Sequence, residues 1–478
     1  MPMPCATSRS RNQLKLVSVR ALAIVAALSL GAFSEAQAEE TSHTLTLDQA
    51  FRTAIEALRT GQPTVTVALT HGLLKANPKD PVLHYLQAQA YARMNEPEEG
   101  RQAAALAYRN SKDQDSLFQS AQLAARLSLQ AGRPTMAQFW LRRTAVHAPN
   151  EEAEKLIAAD YKQLRRINPW AFRIRAEIKP TDNVNNGADT ALQIIDGVPV
   201  VGQLSGSAQA LSGAFGIVDV TTAYRLRQSA ESMTSVGGRL YVQRVSLSSE
   251  AKALAPNVTG SQFASTYGEV SVRHAMIVGP AENLGSAAVD VATGTSWFGG
   301  ERSYNFARLG GERTWRMAGG AQLRLNALVE TRFAERYGSN DANILGIGAQ
   351  YVRPVGSGNR ISISMAYRDS RARWFMGTYR SASVRVAYDL GQAIGPAKLS
   401  AGLVLGYSDY PNYAVSIFTV PGGRQDKSIY GDLSLFFDEY DYAGFAPMLR
   451  VRTGKKDSNV SRFDIREFSV SLGIESKF

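Results

Sequence analysis

The chain has 478 residues, a formal net charge of +11 and a single cysteine, Cys5. This length predicts two or three domains, and one cysteine excludes an internal disulfide and a thiolate metal site. The basic residues form no cluster, so the charge does not favour nucleic-acid binding. It fits contact with anionic lipopolysaccharide or an ordinary solvated surface.

Residues 1–38 have the pattern of a secretory signal peptide. A basic segment precedes the apolar run 21–33, and Ala36-Gln-Ala38 then supplies an A-x-A cleavage site before Glu39. The apolar run is shorter than the roughly 20 residues of a spanning helix, although a retained anchor is the alternative interpretation. Cleavage would take Cys5 and would reduce the 53 basic and 42 acidic residues by four and one, to 49 and 41. The predicted mature chain therefore has a net charge of +8.

The segment 39–167 is predicted to be a helical, periplasmic domain, because it is rich in Ala, Leu, Gln, Glu and Arg. Three breaks recur 34 and 37 residues apart: Gly61-Gln-Pro63, Asn95-Glu-Pro97 and Gly132-Arg-Pro134. Each places Gly or Asn where a helix ends and Pro in the first turn of the next. This period predicts three degenerate tetratricopeptide repeats and a capping helix over 151–166, which would form a concave groove for a peptide or protein partner. A generic helical bundle is the alternative.

At Asn168-Pro-Trp170 the composition changes to alternating apolar and polar residues, which continue to residue 478. Charged side chains recur on the second face of these segments, as they would in a hydrated lumen and seldom would in a buried sandwich. We predict a multidomain α plus all-β fold, with a tetratricopeptide-type α-solenoid followed by a transmembrane antiparallel β-barrel of about 14 strands over 168–478. An even strand number places both barrel ends on the periplasmic side, with 353–358 as a periplasmic turn and 181–204 and 411–427 as extracellular loops.

Two sets of side chains follow from this alternation. We expect the following residues to line the lumen: Arg173, Arg175, Glu177, Arg324, Glu330, Arg368, Arg385, Asp432 and Glu475. We expect the following aromatic residues to form girdles at the membrane interfaces: Trp170, Tyr241, Tyr267, Trp297, Trp374, Tyr388, Tyr407, Tyr410 and Phe478.

The last segment alternates strictly and ends on an aromatic residue, a pattern that resembles the signal read by the bacterial outer-membrane assembly machinery. Its apolar positions are Phe468, Val470, Leu472, Ile474 and Phe478. This ending, behind a secretory signal, predicts a location in the bacterial outer membrane.

Two polar runs in the barrel half have two interpretations each. The first contains Asp182, Asn183, Asn185 and Asn186, and the second contains Ser458 and Asn459. Asp, Asn and Ser are common in turns because their side chains bond to nearby backbone groups. A contact with a partner or with a gate is the functional interpretation, and the sequence leaves both open.

Two stretches carry a resemblance to a known family. Asn168-Pro-Trp170 leads through Ala176-Glu-Ile-Lys-Pro180 to Thr181-Asp-Asn-Val-Asn-Asn186, and Gly444-Phe-Ala-Pro-Met-Leu-Arg-Val-Arg452 precedes Asp457-Ser-Asn-Val460 and Phe463-Asp-Ile-Arg466. With the signal peptide, the repeats and the barrel, these motifs resemble the surface lipoprotein assembly modulator (Slam) family over about residues 45–478. The short repeat array and the segment 186–207 depart from the family's pattern.

The resemblance implies an outer-membrane translocon that moves a surface lipoprotein, or a soluble secreted protein, out of the periplasm. The expected partners are this exported protein, outer-membrane lipid and lipopolysaccharide, the barrel assembly machinery and a periplasmic chaperone, with no nucleic acid and no cofactor. A barrel of this size would admit an extended chain and hardly a folded domain. The sequence has no phosphate-binding G-x-x-x-x-G-K-[ST] loop, so net movement would depend on folding or anchoring outside.

Other functions remain open on the sequence. The predicted barrel contains one histidine, His274, and Ser271 would lie on the opposite face of the strand, so we expect no catalytic activity. The helical histidines have no i, i+4 pair and predict no metal site. A polysaccharide export porin would favour a consistently basic lumen, whereas the predicted lumen charges are mixed. A passive porin would leave the repeats without a role.

Overall fold

The computed structural model describes residues 45–196, 198–280, 284–334, 336, 338–415, 418–440, 442 and 444–476. The predicted cleavage residues Ala36, Ala38 and Glu39 and the terminal Phe478 lie outside the described residues.

From residue 45, where the described chain begins, to the barrel, seven helices form antiparallel neighbours. They are α1 Leu47–Arg59, α2 Pro63–Ala76, α3 Pro81–Arg93, α4 Pro97–Asn110, α5 Gln114–Gln130, α6 Pro134–Val146 and α7 Glu151–Ile167. The three breaks have the predicted geometry, since Gly61, Asn95 and Gly132 have φ values of +80°, +58° and +69°. A left-handed residue ends one helix, and the proline two residues later begins the next in its first turn.

Small residues bring these helices close together. Ala88, Ala104, Ala121 and Ala124 are fully buried, and the side chain of Trp140 closes the same core. Alanine permits close approach of helix backbones, and the first turns of α1, α3, α5 and α7 are capped by Thr46, Asp80, Asp113 and Asn150. Packing between neighbouring pairs therefore stabilises an array in which every helix buries one side.

Fourteen of the eighteen strands in the described residues close into one antiparallel barrel, as predicted. The barrel strands are β1 Trp170–Thr181, β4 Gly213–Gln228, β5 Ser232–Leu247, β6 Ser265–Val278, β7 Gly285–Phe298, β8 Glu301–Arg316, β9 Gln322–Phe333, β10 Ala342–Val355, β11 Asn359–Ala372, β12 Tyr379–Asp389, β13 Lys398–Tyr410, β16 Arg424–Phe436, β17 Phe445–Ser458 and β18 Ile465–Ser476. The strands β2 Leu192–Ile195 with β3 Val198–Gln203, and β14 Ala414–Val415 with β15 Phe418–Thr419, form small hairpins in two of the links, and α8 Ser249–Leu254 lies in a third. Within the described residues, no helix is long and apolar enough to cross a bilayer.

The two ends of the barrel differ. One end, here called the short-turn rim, has brief links such as 229–231, 317–321 and 356–358. The other end, the long-loop rim, has the links 182–212, 248–264 and 411–423. Because β1 starts at the short-turn rim and β18 ends there, the helical domain joins the barrel at that rim.

Side chains fix the helical domain against the short-turn rim. Arg225 of β4 donates to the backbone oxygen atoms of Arg166 and Asn168 at 2.8 and 2.7 Å. Arg142 of α6 donates to Ser476 Oγ at 3.4 Å and lies 5.3 Å from the centre of the Phe445 ring. The helices therefore contact the barrel at β4 on one side of β1 and at β17 and β18 on the other.

Candidate functional site

The strand register divides the barrel wall into two chemical faces. All nine predicted lumen residues fall on one face, since directly paired residues of an antiparallel sheet share a face. The opposite face carries exposed apolar side chains, such as Ile178 at 63% and Leu472 at 62% of full exposure. Phe468 and Ile474 lie on that outer face, and register places Val470 with them. The outer wall is thus apolar and the inner wall is polar.

Among the described residues, six of the nine predicted inner charges lie in ion pairs, and four of these six pair with a residue of another strand. The Arg385 guanidinium binds the Asp432 carboxylate through two bonds, with 2.7 Å between Nη2 and Oδ2. Arg175 pairs with Glu177, and Glu475 lies opposite Arg175 in the register of β1 and β18.

A second inner network runs across β6, β8 and β9. Glu330 lies 2.7 Å from Arg332 and 3.7 Å from Arg308, which also binds Glu269 at 2.7 Å. Arg324 lies 3.9 Å from Glu312. In the described part of the chain, Arg173, Arg368 and Glu475 take part in no ion pair, and on the inner wall Arg173 is exposed and Arg368 is half-buried.

The aromatic prediction is partly wrong. Tyr267 stacks on the buried inner residue Phe306, at 5.5 Å between ring centres. Tyr241 is the cross-strand partner of Tyr267. Tyr410 lies on the inner face under Arg424. These three side chains therefore belong to the inner wall. Whether a residue faces inward depends on its odd or even position along the strand, and the sequence pattern did not resolve this position at the strand ends. The following residues are exposed on the outer wall or its rims: Trp170, Trp297, Trp374, Tyr388 and Tyr407.

Folded loops occupy the mouth at the long-loop rim. Val184 and Leu211 of link 182–212 are buried with Leu247, and this cluster packs against Phe215 and Val245 of the inner wall. On the other side, the hairpin β2–β3 docks on the link 459–464, where Ser461 Oγ accepts from the Ile194 backbone N–H at 2.7 Å. The mouth is consequently narrowed by ordered backbone and side chains.

The first predicted polar run supports this folded mouth. Asn183 exchanges two hydrogen bonds of 2.9 Å with the Gly187 backbone, and Asn186 has a φ of +50°. Asn185 Nδ2 donates to the Gln209 backbone oxygen at 2.7 Å, and the Asp182 carboxylate accepts from the Phe468 backbone N–H at 3.1 Å. The run thus shapes its own link and ties that link to β18.

The second polar run is tied to the link 182–212, which also contains the first run. Asn459 Nδ2 donates to Asp196 Oδ1 and to the Gly423 backbone oxygen, both at 2.9 Å. Ser458 Oγ accepts from the Val460 backbone N–H at 3.2 Å. Both runs therefore meet at one mouth, although they are more than 250 residues apart in the sequence.

A buried charge cluster at this mouth was missed by the sequence analysis. Arg424 and Asp426 are 7% and 5% exposed and lie 3.3 Å apart, in a geometry that is an ion pair without being a hydrogen bond. The Arg424 guanidinium lies 3.6 Å from the centre of the Tyr410 ring and 3.7 Å from that of Phe463. No sequence signal could have found this cluster, because two loops and two strands assemble it.

The helical domain contains a groove that ends beside the barrel. A cavity of about 550 Å³ opens between α3, α5, α6 and α7. Its lining residues include Gln122, Arg126, Leu129, Asp160 and Ile167. Apolar side chains share this lining with amides and charges, and Ile167 directly precedes the Asn168 that contacts the barrel.

His147 is the group from which we expect a pH-dependent stability of the helical domain. Its ring bonds to Tyr108 and Gln114, and partial burial together with the positive charge of Arg143 lowers the pKa of His147 below its ordinary value. Because the unfolded chain binds this proton more readily, stability falls as the pH drops through about 6.5 and the lowered folded pKa. We expect the thermal midpoint of the helical signal to decrease between about pH 7.5 and 5.

The variant His147→Gln should make that decrease smaller, whereas His71→Gln, at an exposed histidine of α2, should leave it unchanged. Circular dichroism of the full chain in detergent measures both. An equal pH response of all three proteins would contradict the role of His147.

The described residues offer no group of three or more His, Cys, Asp or Glu side chains that could hold a metal ion. His274 donates to or accepts from Thr234 Oγ1 at 2.8 Å on the outer face, while Ser271 lies on the inner face. These two residues are therefore not brought together.

No protein-family model matches the sequence, and no curated protein matches it. Among solved structures, the chain is similar to the outer membrane channel DcaP of Acinetobacter baumannii, with 12% identity, a TM-score of 0.36 and coverage of 65% of this chain and 97% of that one. OccK7 of Pseudomonas aeruginosa has 10% identity and a TM-score of 0.29, with coverage of 64% and 98%. CdiB from Acinetobacter baumannii has 10% identity and a TM-score of 0.35, with coverage of 64% and 60%.

Proposed function

We propose that this protein is an outer-membrane translocon that delivers a surface lipoprotein or a secreted protein from the periplasm to the cell exterior. The outer wall supports the membrane location, because a closed barrel with an apolar outside satisfies every backbone group in a bilayer. In this arrangement the short-turn rim and the helical domain face the periplasm.

The observation that carries the proposal is the groove of the helical domain, which ends at Ile167, beside the docked barrel rim. The array, interpreted as tetratricopeptide repeats, would hold an extended segment of the exported protein and present it to the lumen. The inner wall would then offer paired charges to a polar chain, with Arg173 and Arg368 as cations outside these pairs.

A passive porin is the alternative that the closed barrel alone would support, and a polysaccharide export porin is a second one. Neither of these porin functions explains a groove lined by apolar side chains and amides. The pairing of inner Arg with Asp and Glu also disfavours an acidic polymer, which needs a continuous basic path.

The groove provides the test. Leu129 and Ile167 are 46% and 59% exposed within it, and each apolar side chain buried by a partner is worth about 1.5–3 kcal/mol. The double variant Leu129→Glu with Ile167→Glu should weaken partner binding by about a hundredfold or more. Surface labelling of intact cells that co-express the neighbouring gene's exported product measures the expected loss of display.

The matched control is Leu156→Glu, because Leu156 is 65% exposed on α7 and lies outside the groove. It should export normally. Unchanged export after deletion of residues 39–166 would rule out capture by the helices, and solute flux without any protein export would favour the porin.

A further inference from the structure

The ladder that closes the barrel, between β1 and β18, is incomplete. On its other side, β1 pairs with β4 at every residue from Trp170 to Thr181. With β18 it pairs at 175–178 and then only at Thr181, opposite Ser469. Lys179 and Pro180 therefore lack a ladder partner on β18, although both strands continue past them.

Pro180 explains the gap. The Phe468 N–H points toward β1, where the Asp182 carboxylate accepts it. Since N–H groups of an antiparallel strand alternate in direction, Val470 also directs its backbone polar groups toward β1, opposite Pro180. Proline has no N–H to return, so one bond of this pair cannot form. The closing seam is weakest here.

An apolar recess lies on the outer wall beside the gap. Its volume is about 460 Å³, within the range of roughly 300–1,000 Å³ usual for ligand sites. Its lining includes Pro180, Ala214, Ser246, Phe468 and Val470, which the register places on the membrane-facing side. The polar residues Thr181, Asp182, Ser212 and Ser248 line it at the long-loop end.

The inner side of the same gap is charged. Lys179 Nζ lies 2.8 Å from Glu467 Oε1, and Arg452 Nε lies 3.7 Å from Glu467 Oε2. A molecule that crosses the wall here would meet charges inside and apolar side chains outside. This arrangement fits an amphiphile with a polar body and a hydrocarbon chain.

We propose that the β1–β18 seam at Pro180 is a lateral portal that binds the acyl chain of a lipid-anchored polypeptide. The polypeptide would occupy the lumen while its acyl chain passes between Pro180 and Val470 into the recess and the bilayer. This inference rests on the proposed function, and it selects an acylated chain as the substrate.

Photo-crosslinking tests the site. The protein is reconstituted in phosphatidylethanolamine–phosphatidylglycerol vesicles with a triacylated cysteinyl hexapeptide as the probe. A p-benzoylphenylalanine replaces either Phe468, in the recess, or Tyr407, an exposed aromatic on the outer wall at a similar distance from the long-loop rim. We expect about tenfold more peptide adduct at 468, the ratio that a preference of about 1.4 kcal/mol gives. Equal adduct yields at 468 and 407 would show that the recess is an ordinary lipid-exposed surface and would overturn the proposal.

A disulfide across the seam tests the opening. In a Cys5→Ser background, Pro180→Cys with Val470→Cys closes the gap, whereas Ile178→Cys with Gly216→Cys joins β1 to β4 two residues away and keeps Pro180. Only the first staple should reduce the adduct at 468 to the level at 407. Pro180→Val, which restores the N–H, should lower the adduct without any crosslink.

If the adduct yield at 468 still exceeds that at 407 in both the stapled protein and Pro180→Val, the portal is overturned. Export in cells separates this result from the proposed function: an unacylated form of the exported protein should pass the stapled barrel. Failure of the wild-type protein to export any form would contradict the translocon while leaving the crosslinking result intact.

Discussion

Replacing residues 183–211 by Asn-Gly is expected to raise the single-channel conductance of the reconstituted protein severalfold. This segment places Val184 and Leu211 against the inner-wall residue Phe215, so it narrows the mouth. Thr181 and Gly213 are ladder partners, so a two-residue turn can join the adjoining residues of β1 and β4. Planar-bilayer recordings measure the change.

The matched control shortens a link at the opposite rim. Replacing 391–398 by Asn-Gly joins β12 to β13 next to Leu390, whose N–H donates to the Leu399 oxygen at 3.0 Å. This variant should conduct like the wild type. If both shortened proteins conduct like the wild type, the link 182–212 does not restrict the passage.

The variant Arg424→Met is expected to destabilise the barrel by about 3–5 kcal/mol, the usual cost of removing one partner of a buried ion pair. Asp426 is 5% exposed and would keep only Lys456, at 4.0 Å, as a cation. The Tyr410 and Phe463 rings would also lose the guanidinium between them. The shift of the denaturant midpoint in micelles, followed by gel mobility, measures this loss.

Charge removal should reverse part of that loss. Arg424→Met with Asp426→Asn leaves no uncompensated carboxylate and should be more stable than Arg424→Met alone. Arg360→Met is the comparison, because its pair with Asp389 is largely exposed and should contribute at most about 1 kcal/mol. Equal stability of wild type and Arg424→Met would show that the cluster does not stabilise the mouth.

The strand pattern could be predicted where the alternation is long. The segment around Arg173 and Arg175, and that around Asp432, show both faces over several residues, and the structure places these charges inside. Tyr241, Tyr267 and Tyr410 were assigned to the wrong face because an aromatic side chain is compatible with either one. Only the register, set by neighbouring strands, distinguishes them.

The candidate sites divide in the same way. Leu129 and Ile167 lie 38 residues apart and share a groove only because α5 and α7 pack against α6. The two polar runs, with Asp182 and Asn459, were predicted one by one, but their meeting at a common mouth depends on barrel closure. The closure of the barrel joins residues far apart in the chain, so no local sequence pattern indicates which of them will meet.

The sequence by itself determined the helical period, the fourteen strands and the chemical contrast between the two faces of the wall. These properties arise from local rules: proline and glycine at helix ends, and the two-residue period of a strand. The tertiary structure decided which charges pair, how the loops fill the mouth and where the seam lacks a bond. Pro180 is visible in the sequence, yet it weakens the barrel only because closure places its missing N–H opposite Val470 of the last strand.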